Sequence, residues 1–227
     1  MSRTFTLVDS LALNDLQTFL GRTARIEDGS VRLIAGSGVL ATYIAVFYPV
    51  GLHDEMPTVL ALRTFALSGS EAFDVVVPIR SLLDRLAKLK ADAVDETLPI
   101  EVGVPIEVNT VVWASVSPPK GGWYSLDEIE SELLARTAES GIEEIKTALP
   151  PGLGEHIVHK ARAEVWSRPI PGAEHIPSGA AFAAQTLGFL VGAESIRVFE
   201  TGPWTRLSMN RGHILVRRKP WTLQASS

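Results

Sequence analysis

The chain has 227 residues, 46% of them hydrophobic and 21% charged, a composition that folds and leaves enough apolar side chains for one large domain or two small ones. A formal charge of -5 gives no global reason to expect nucleic acid or an anionic membrane as partner. There is no cysteine, which excludes thiol nucleophiles, cysteine-ligated zinc, iron–sulfur clusters and disulfides together.

The N-terminal stretch MSRTFTLVDSLALNDL mixes polar and acidic residues among its apolar ones and has no separate apolar core of the signal-peptide kind. The longest apolar run, Val39 to Leu52, falls short of the ~20 residues that cross a bilayer. A cytoplasmic protein without a membrane segment is expected.

Taken in order, Thr4 to Val8 reads as a short strand, and Ser10 as the cap of a helix ending near Gly21 that shows Leu13, Leu16, Phe19 and Leu20 on one face. Turns at Asp28-Gly29 and Gly36-Ser37-Gly38 separate two strands, of which the second, VLATYIAVFYP, is apolar on both faces and belongs inside a sheet. His53-Asp54-Glu55 reads as a solvated polar loop, though its residue types suit acid–base work. The strands TVLALRTFAL and FDVVVP follow. The latter runs into a helix with Ile79, Leu82, Leu83, Leu86 and Leu89 at helical spacing and Arg80, Arg85, Lys88 and Lys90 around the other side. Ala91 to Thr97 forms an acidic linker, and extended runs are expected near PIEVGVPIEV and TVVWASV.

SPPKGGW, Ser117 to Trp123, is the clearest punctuation in the chain: prolines restrict its entry and glycines free its exit. It reads as a linker between lobes, or as a binding loop with Lys120 and Trp123 at its tip. Ser125 and Glu128 have the spacing of a capping box, which predicts a helix starting there and stopping around Gly141, with a shorter continuation to Pro150-Pro151. HKARAEVWS reads as a strand. His156 and His159 beside Glu155 have a metal-like spacing, but in a strand residues i and i+3 face opposite ways, so no metal site is expected. SGAAFAAQTLGFL is a nearly uncharged helix that must be buried on most sides.

The densest stretch is the last, IRVFETGPWTRLSMNRGHILVRRKPW, Ile196 to Trp221. With Arg211-Gly212 as a two-residue turn, Leu207, Met209, Ile214 and Val216 share one apolar face. Trp204, Arg206, Ser208, His213, Leu215 and Arg217 share the other. Guanidinium groups match carboxylate or phosphate geometry and tryptophan offers a stacking surface, so Trp204, Arg206, His213 and Arg217, with Trp123 from the loop, are the candidate binding residues. The other reading of the same pattern is a sheet edge kept soluble by arginines, with Trp204 packed under their stems. No Walker A, G-x-G-x-x-G or G-x-S-x-G motif is present, and no catalytic residue, metal or cofactor is assigned.

Local phrases of the chain, LALNDLQTFLGR, SPPKGGW and FETGPWTRL…GHILVR, resemble a group of uncharacterised actinobacterial proteins, a resemblance that implies no activity and no site. In outline, four helix-then-strands units and the join FDVVVPIRSLLDRLAKL are similar to sliding-clamp DNA-polymerase processivity factors. That resemblance implies helices presenting basic surface to DNA phosphates. The helix from Ile79 to Lys90 fits it. The helix after Ser125, with Asp127, Glu128, Glu130 and Glu132, does not.

The expected fold is therefore α+β, with largely antiparallel sheets and about four helices. Two similar lobes, 1–116 and 125–227, are joined by a linker at 117–124, or run together as one domain. The expected function is a non-enzymatic binding or assembly protein whose Trp/Arg ribbon contacts an acidic protein or a second copy of the chain. The alternative is an enzyme or binder for an anionic small molecule, with Arg206, Arg211 or Arg217 as the clamp and His213 as acid or base. A clamp-like nucleic-acid protein ranks third.

Overall fold

The computed structural model describes residues 3–26, 29–51, 54, 56–92, 97–109, 111–115, 117–149, 152 and 154–217. The chain divides into two compact units, residues 1–46 with 61–117, and residues 47–60 with 118–227.

The first unit opens with β1 (Thr4–Leu7) and α1 (Ser10–Thr23). Asp9, not Ser10, caps this helix: its backbone is extended and its carboxylate accepts the Ala12 N–H at 2.7 Å, while Ser10 is the first helical residue. Leu13, Leu16, Phe19 and Leu20 are all buried, as their spacing predicts. Then come β2 (Ser30–Gly36), β3 (Val39–Phe47), β4 (Thr58–Ala66), β5 (Phe73–Pro78), α2 (Ile79–Asp92) and β6 (Ile100–Gly103).

Gly36 pairs with Val39 across a turn whose two residues, Ser37 and Gly38, have φ of 52° and 74°, the left-handed geometry that matches strand twist. The strand order β5-β2-β3-β4 places the doubly apolar β3 inside the sheet, and β1 pairs antiparallel with β6. Ile79, Leu82 and Leu86 are the buried stripe of α2. Asp28 of the expected first turn and residues 93–96 of the expected acidic linker lie outside the described residues.

TVVWASV is not a strand: Val112–Ser115 is a 3-10 turn with Trp113 buried. Arg32 explains why. It grips Asp74 with two nitrogens at 2.7 and 2.6 Å and donates to the Ala114 carbonyl at 2.8 Å and the Ser117 hydroxyl at 2.6 Å. Arg32, held in place by Asp74, thus draws in the Ala114 carbonyl and the Ser117 hydroxyl just after the run, and these charge-assisted bonds compete with the β-propensity of a short valine run.

The second unit, after SPPKGGW, contains β7 (Tyr124–Ser125), β8 (Ile129–Glu130), α3 (Ser131–Ala148), α4 (Glu155–Ser167), β9 (Pro169–Ile170), β10 (Ala173–Pro177), α5 (Ser178–Thr186), β11 (Ser195–Thr201), β12 (Trp204–Met209) and β13 (Gly212–Arg217). Its sheet runs β13-β12-β11-β7, with β8 also on β11. The fold is α+β with antiparallel strand pairing. No helix among the described residues is long and apolar enough to cross a membrane.

Three local expectations fail here. Ser125 and Glu128 do not open a helix, because residues 124–130 line the edge of β11 instead: Ser125 pairs with Phe199, Leu126 N–H donates to the Val198 carbonyl, and Glu128 accepts from Ser195. The helix starts at Ser131, whose hydroxyl bonds to the Gly192 carbonyl and the Glu194 N–H.

Gly141 does not end that helix. It lies inside α3, where a Cβ would stand 2.5 Å from the Trp166 ring, so the glycine serves close packing instead. HKARAEVWS, finally, is part of α4. Val158, Val165 and Trp166 stand at i, i+7 and i+8, a helical spacing that the apparent strand alternation hides.

Trp166 is the centre of this unit. It is 1% exposed, with the Phe182 ring 4.6 Å and the Phe47 ring 6.2 Å from its own. The small residues of α5, Ala180, Ala181, Ala183 and Ala184, are fully buried, and α5 lies against α3, α4 and β13. Apart from Phe182, which meets Trp166, this helix has only small or uncharged side chains, and such a helix packs closely on several sides.

Candidate interaction face on the second unit

Strands β12 and β13 pair Met209 with Gly212 and Ser208 with His213, so the turn is Asn210-Arg211, one residue earlier than expected. Moving a hairpin turn by one residue changes the register by two positions, and side chains alternate with period two, so the two faces survive the correction. Leu207, Met209, Ile214 and Val216 are buried on the core face.

The opposite face carries Trp204, Arg206, Ser208, His213, Leu215 and Arg217. The β11 pairings Arg197 with Ser208 and Phe199 with Arg206 add Arg197 and Phe199 to it. Trp204 is 3% exposed, so its ring packs beneath the surface and offers no platform to a ligand. Arg206, Phe199, His213 and Trp123 are half-buried, and Arg197 and Arg217 are exposed.

Arg206 organises the face. Its guanidinium lies 4.6 Å from the centre of the Trp123 ring and 4.6 Å from that of Phe199, a cation between two aromatic rings. The Trp123 indole N–H donates to the Pro119 carbonyl at 3.0 Å, folding SPPKGGW back on itself. The loop is thus fastened to the sheet by the arginine that sequence reasoning assigned to ligand binding. Arg197 and Phe199 were not among the candidates, although their i, i+2 spacing in IRVFET next to a paired strand would have carried them to this face.

Glu200, the acidic residue of β11, turns to the core side, where it accepts from the Tyr124 hydroxyl at 2.9 Å and the Thr205 hydroxyl at 3.2 Å. The face itself therefore collects arginines and no carboxylate from the three strands. The His213 ring Nδ1 is 3.0 Å from the Ser208 hydroxyl. Burial, and then the charges of Arg206 and Arg197, push its pKa below the ordinary 6.5.

A histidine whose folded pKa is depressed leaves stability intact above its unfolded pKa and withdraws it as pH falls below about 6.5. Urea denaturation at pH 7.5 and 5 should show this loss in the native chain. It should show a flatter dependence in His213→Gln.

The remaining candidates lie elsewhere in the same unit. Asp54 is not a solvated loop residue: its side chain is 10% exposed and its carboxylate accepts the Val50 N–H at 2.8 Å, the Met56 N–H at 2.9 Å and His159 Nε2 at 3.0 Å. Burial raises its pKa, but the two amides and His159 together outweigh burial and the net shift is downward. His53 and Glu55 lie outside the described residues. His156 and His159 are three apart on a helix, so the argument that they face opposite ways fails. Among the described residues, however, no group of three or more His, Asp or Glu is placed to hold a metal ion.

Both parts of the chain match domains of unknown function. Residues 1–104 match the family model DUF8010, and residues 118–221, which contain the whole candidate face, match DUF8185. No curated protein matches the chain.

Among solved structures, the chain is similar to the Caulobacter crescentus pol III beta structure, with TM-score 0.52 and 10% identity over 95% of this chain and 65% of that one. It is also similar to the DnaN sliding clamp of Bartonella birtlesii, solved with griselimycin, with TM-score 0.53 and 12% identity over 98% of this chain and 66% of that one. The chain thus spans about two thirds of the length of the clamp chains it matches. At these identities the likeness is one of fold, and it agrees with the helix-then-strands outline read from the sequence.

Proposed function

We propose that this chain is a non-enzymatic binding protein on a clamp-like fold, and that the arginine face of β11–β13 receives a carboxylate-rich protein surface. The observation that carries this reading is the composition of the face: exposed Arg197 and Arg217 flank a guanidinium held between Trp123 and Phe199, with no carboxylate from the three strands. Arginine and aromatic side chains are the types enriched where protein interfaces concentrate their energy. His213, held neutral by its surroundings, adds a hydrogen-bonding group and no charge of its own.

The fold likeness brings DNA into consideration, because the solved relatives are named as DNA polymerase subunits. α2, with Arg80, Arg85, Lys88 and Lys90, is compatible with that partner, but two helices of the second unit support a different one. α3 carries Glu132, Glu139, Glu143 and Glu144 against Arg136 and Lys146, and α5 carries no charge, so neither offers the cationic surface that phosphate contacts require.

Glu132, Glu143 and Glu144 of α3 already pair with Arg136, Lys146 and Arg168 within the chain, so α3 is not assigned as the partner surface, and a second copy of the chain is the first partner to test. Native mass spectrometry of the chain and of the Arg197→Glu/Arg217→Glu double variant tests this. Assembly that is lost on charge reversal is expected. Assembly identical in the two proteins would overturn the reading for self-association.

A further inference from the structure

We propose that the arginine face takes up one proton at His213 when it receives its carboxylate partner, so that the complex tightens as pH falls through the neutral range. This inference rests on the carboxylate reading of the face given above.

The register sets His213 among fixed cations. Ser208 stands opposite His213 on β13 and opposite Arg197 on β11, so Arg197, Ser208 and His213 form one row across three strands. Neighbouring strands lie ~4.8 Å apart, which puts the two ends of the row about 10 Å from each other at the backbone. Arg206, two residues before Ser208, shares this face in the next row. Arg211 in the turn and Arg217 at the end of β13 are the other charges of the hairpin, and both are exposed. α5, which lies against β13, carries no charge. Among the described residues of the three strands, His213 is the one side chain of this face that changes its charge near neutral pH.

Without a partner, burial and then the charges of Arg206 and Arg197 keep the ring neutral. A carboxylate docked between those arginines offsets their field and brings an opposite charge of its own. One opposite charge within 4–6 Å moves a pKa by about 1–3 in favour of the charged form. The partner also removes water, which works against charging, but a half-buried ring has already lost part of its hydration. The carboxylate wins, and the ring becomes charged as the complex forms. Protonated imidazole donates from both nitrogens, so Nδ1 donates to the Ser208 hydroxyl at 3.0 Å and Nε2 becomes a second, charged donor.

The complex then holds the proton more tightly than the free chain does, so affinity rises as pH falls. One proton gives at most about tenfold per pH unit. The rise ends below the ordinary 6.5, where the free ring is itself protonated.

Fluorescence anisotropy of the whole chain with a labelled glutamate-rich peptide, at pH 7.5 and 6.0, reads the effect. Glutamate, with an ordinary pKa of about 4.3, stays ionised at both. The native chain should bind at least about threefold more tightly at pH 6.0. In His213→Gln, which retains the chain's other histidines, the ratio of the two affinities should fall to about one. The titration midpoint of the His213 imidazole signal in carbon–proton spectra of the native chain should move up when the peptide is added, a readout independent of how the variant folds. An equal affinity ratio in the two proteins, or a midpoint that stays or falls on binding, would overturn the proton uptake and leave the carboxylate reading standing. A native chain that binds no peptide at either pH would overturn both.

Discussion

Replacing Gly141 by alanine is expected to destabilise the second unit by about 2 kcal/mol, although alanine is the better helix former by ~1 kcal/mol at an open helical position. The added Cβ would stand 2.5 Å from Cζ3 and 2.6 Å from Cη2 of Trp166, and 3.2 Å from a Val165 methyl. Trp166 has little room to give way, because Phe47 and Phe182 hold its other sides. The sign is the informative part of this result. An unobstructed glycine would make the alanine variant more stable.

Truncating the neighbour, Trp166→Ala, removes the largest fully buried side chain among the described residues and should cost about 3–5 kcal/mol. Combined with Gly141→Ala, the smaller side chain makes room for the new methyl. The double variant should therefore be more stable than the sum of the single effects by at least about 1 kcal/mol. Urea unfolding of the four proteins measures both quantities.

The second large effect is at Arg206. Its guanidinium contacts two rings in a half-buried setting, so Arg206→Ala should cost about 2 kcal/mol and release Trp123 from the sheet. Arg206→Lys should recover only part of it, because a compact ammonium cannot stack flat between two rings. The indole signal of Trp123 in nitrogen–proton spectra, assigned with Trp123→Phe, should move in Arg206→Ala and stay in Arg217→Glu. An unmoved signal in Arg206→Ala would show that Pro119 and the loop alone hold the indole.

Periodicity located α1 and α2, turn residues and apolar runs located the strands β2 to β5, and small uncharged residues marked α5. Periodicity also divided the terminal hairpin into the right faces even though the turn lies one residue away, since parity alone decides the face.

What escaped was set by distant partners. Ser125 and Glu128 look like a helix start until β11 provides an edge to pair with. Gly141 looks like a helix stop until Trp166 arrives 25 positions later in sequence to fill its space. TVVWASV looks like a strand until Arg32 draws in the Ala114 carbonyl. The candidate site followed the same rule. Its residue types were legible, whereas the burial of Trp204, the capture of Arg206 by two rings and the bond between Asp54 and His159 are tertiary facts.

The central claim is that the arginine face recognises carboxylates, and fluorescence anisotropy with a labelled glutamate-rich peptide tests it most directly. The native chain should bind the peptide with an affinity that falls as salt rises. Arg197→Glu/Arg217→Glu should lower that affinity at least about tenfold, and Lys160→Gln should leave it unchanged. Equal affinity in the native chain and the double arginine variant would contradict the account.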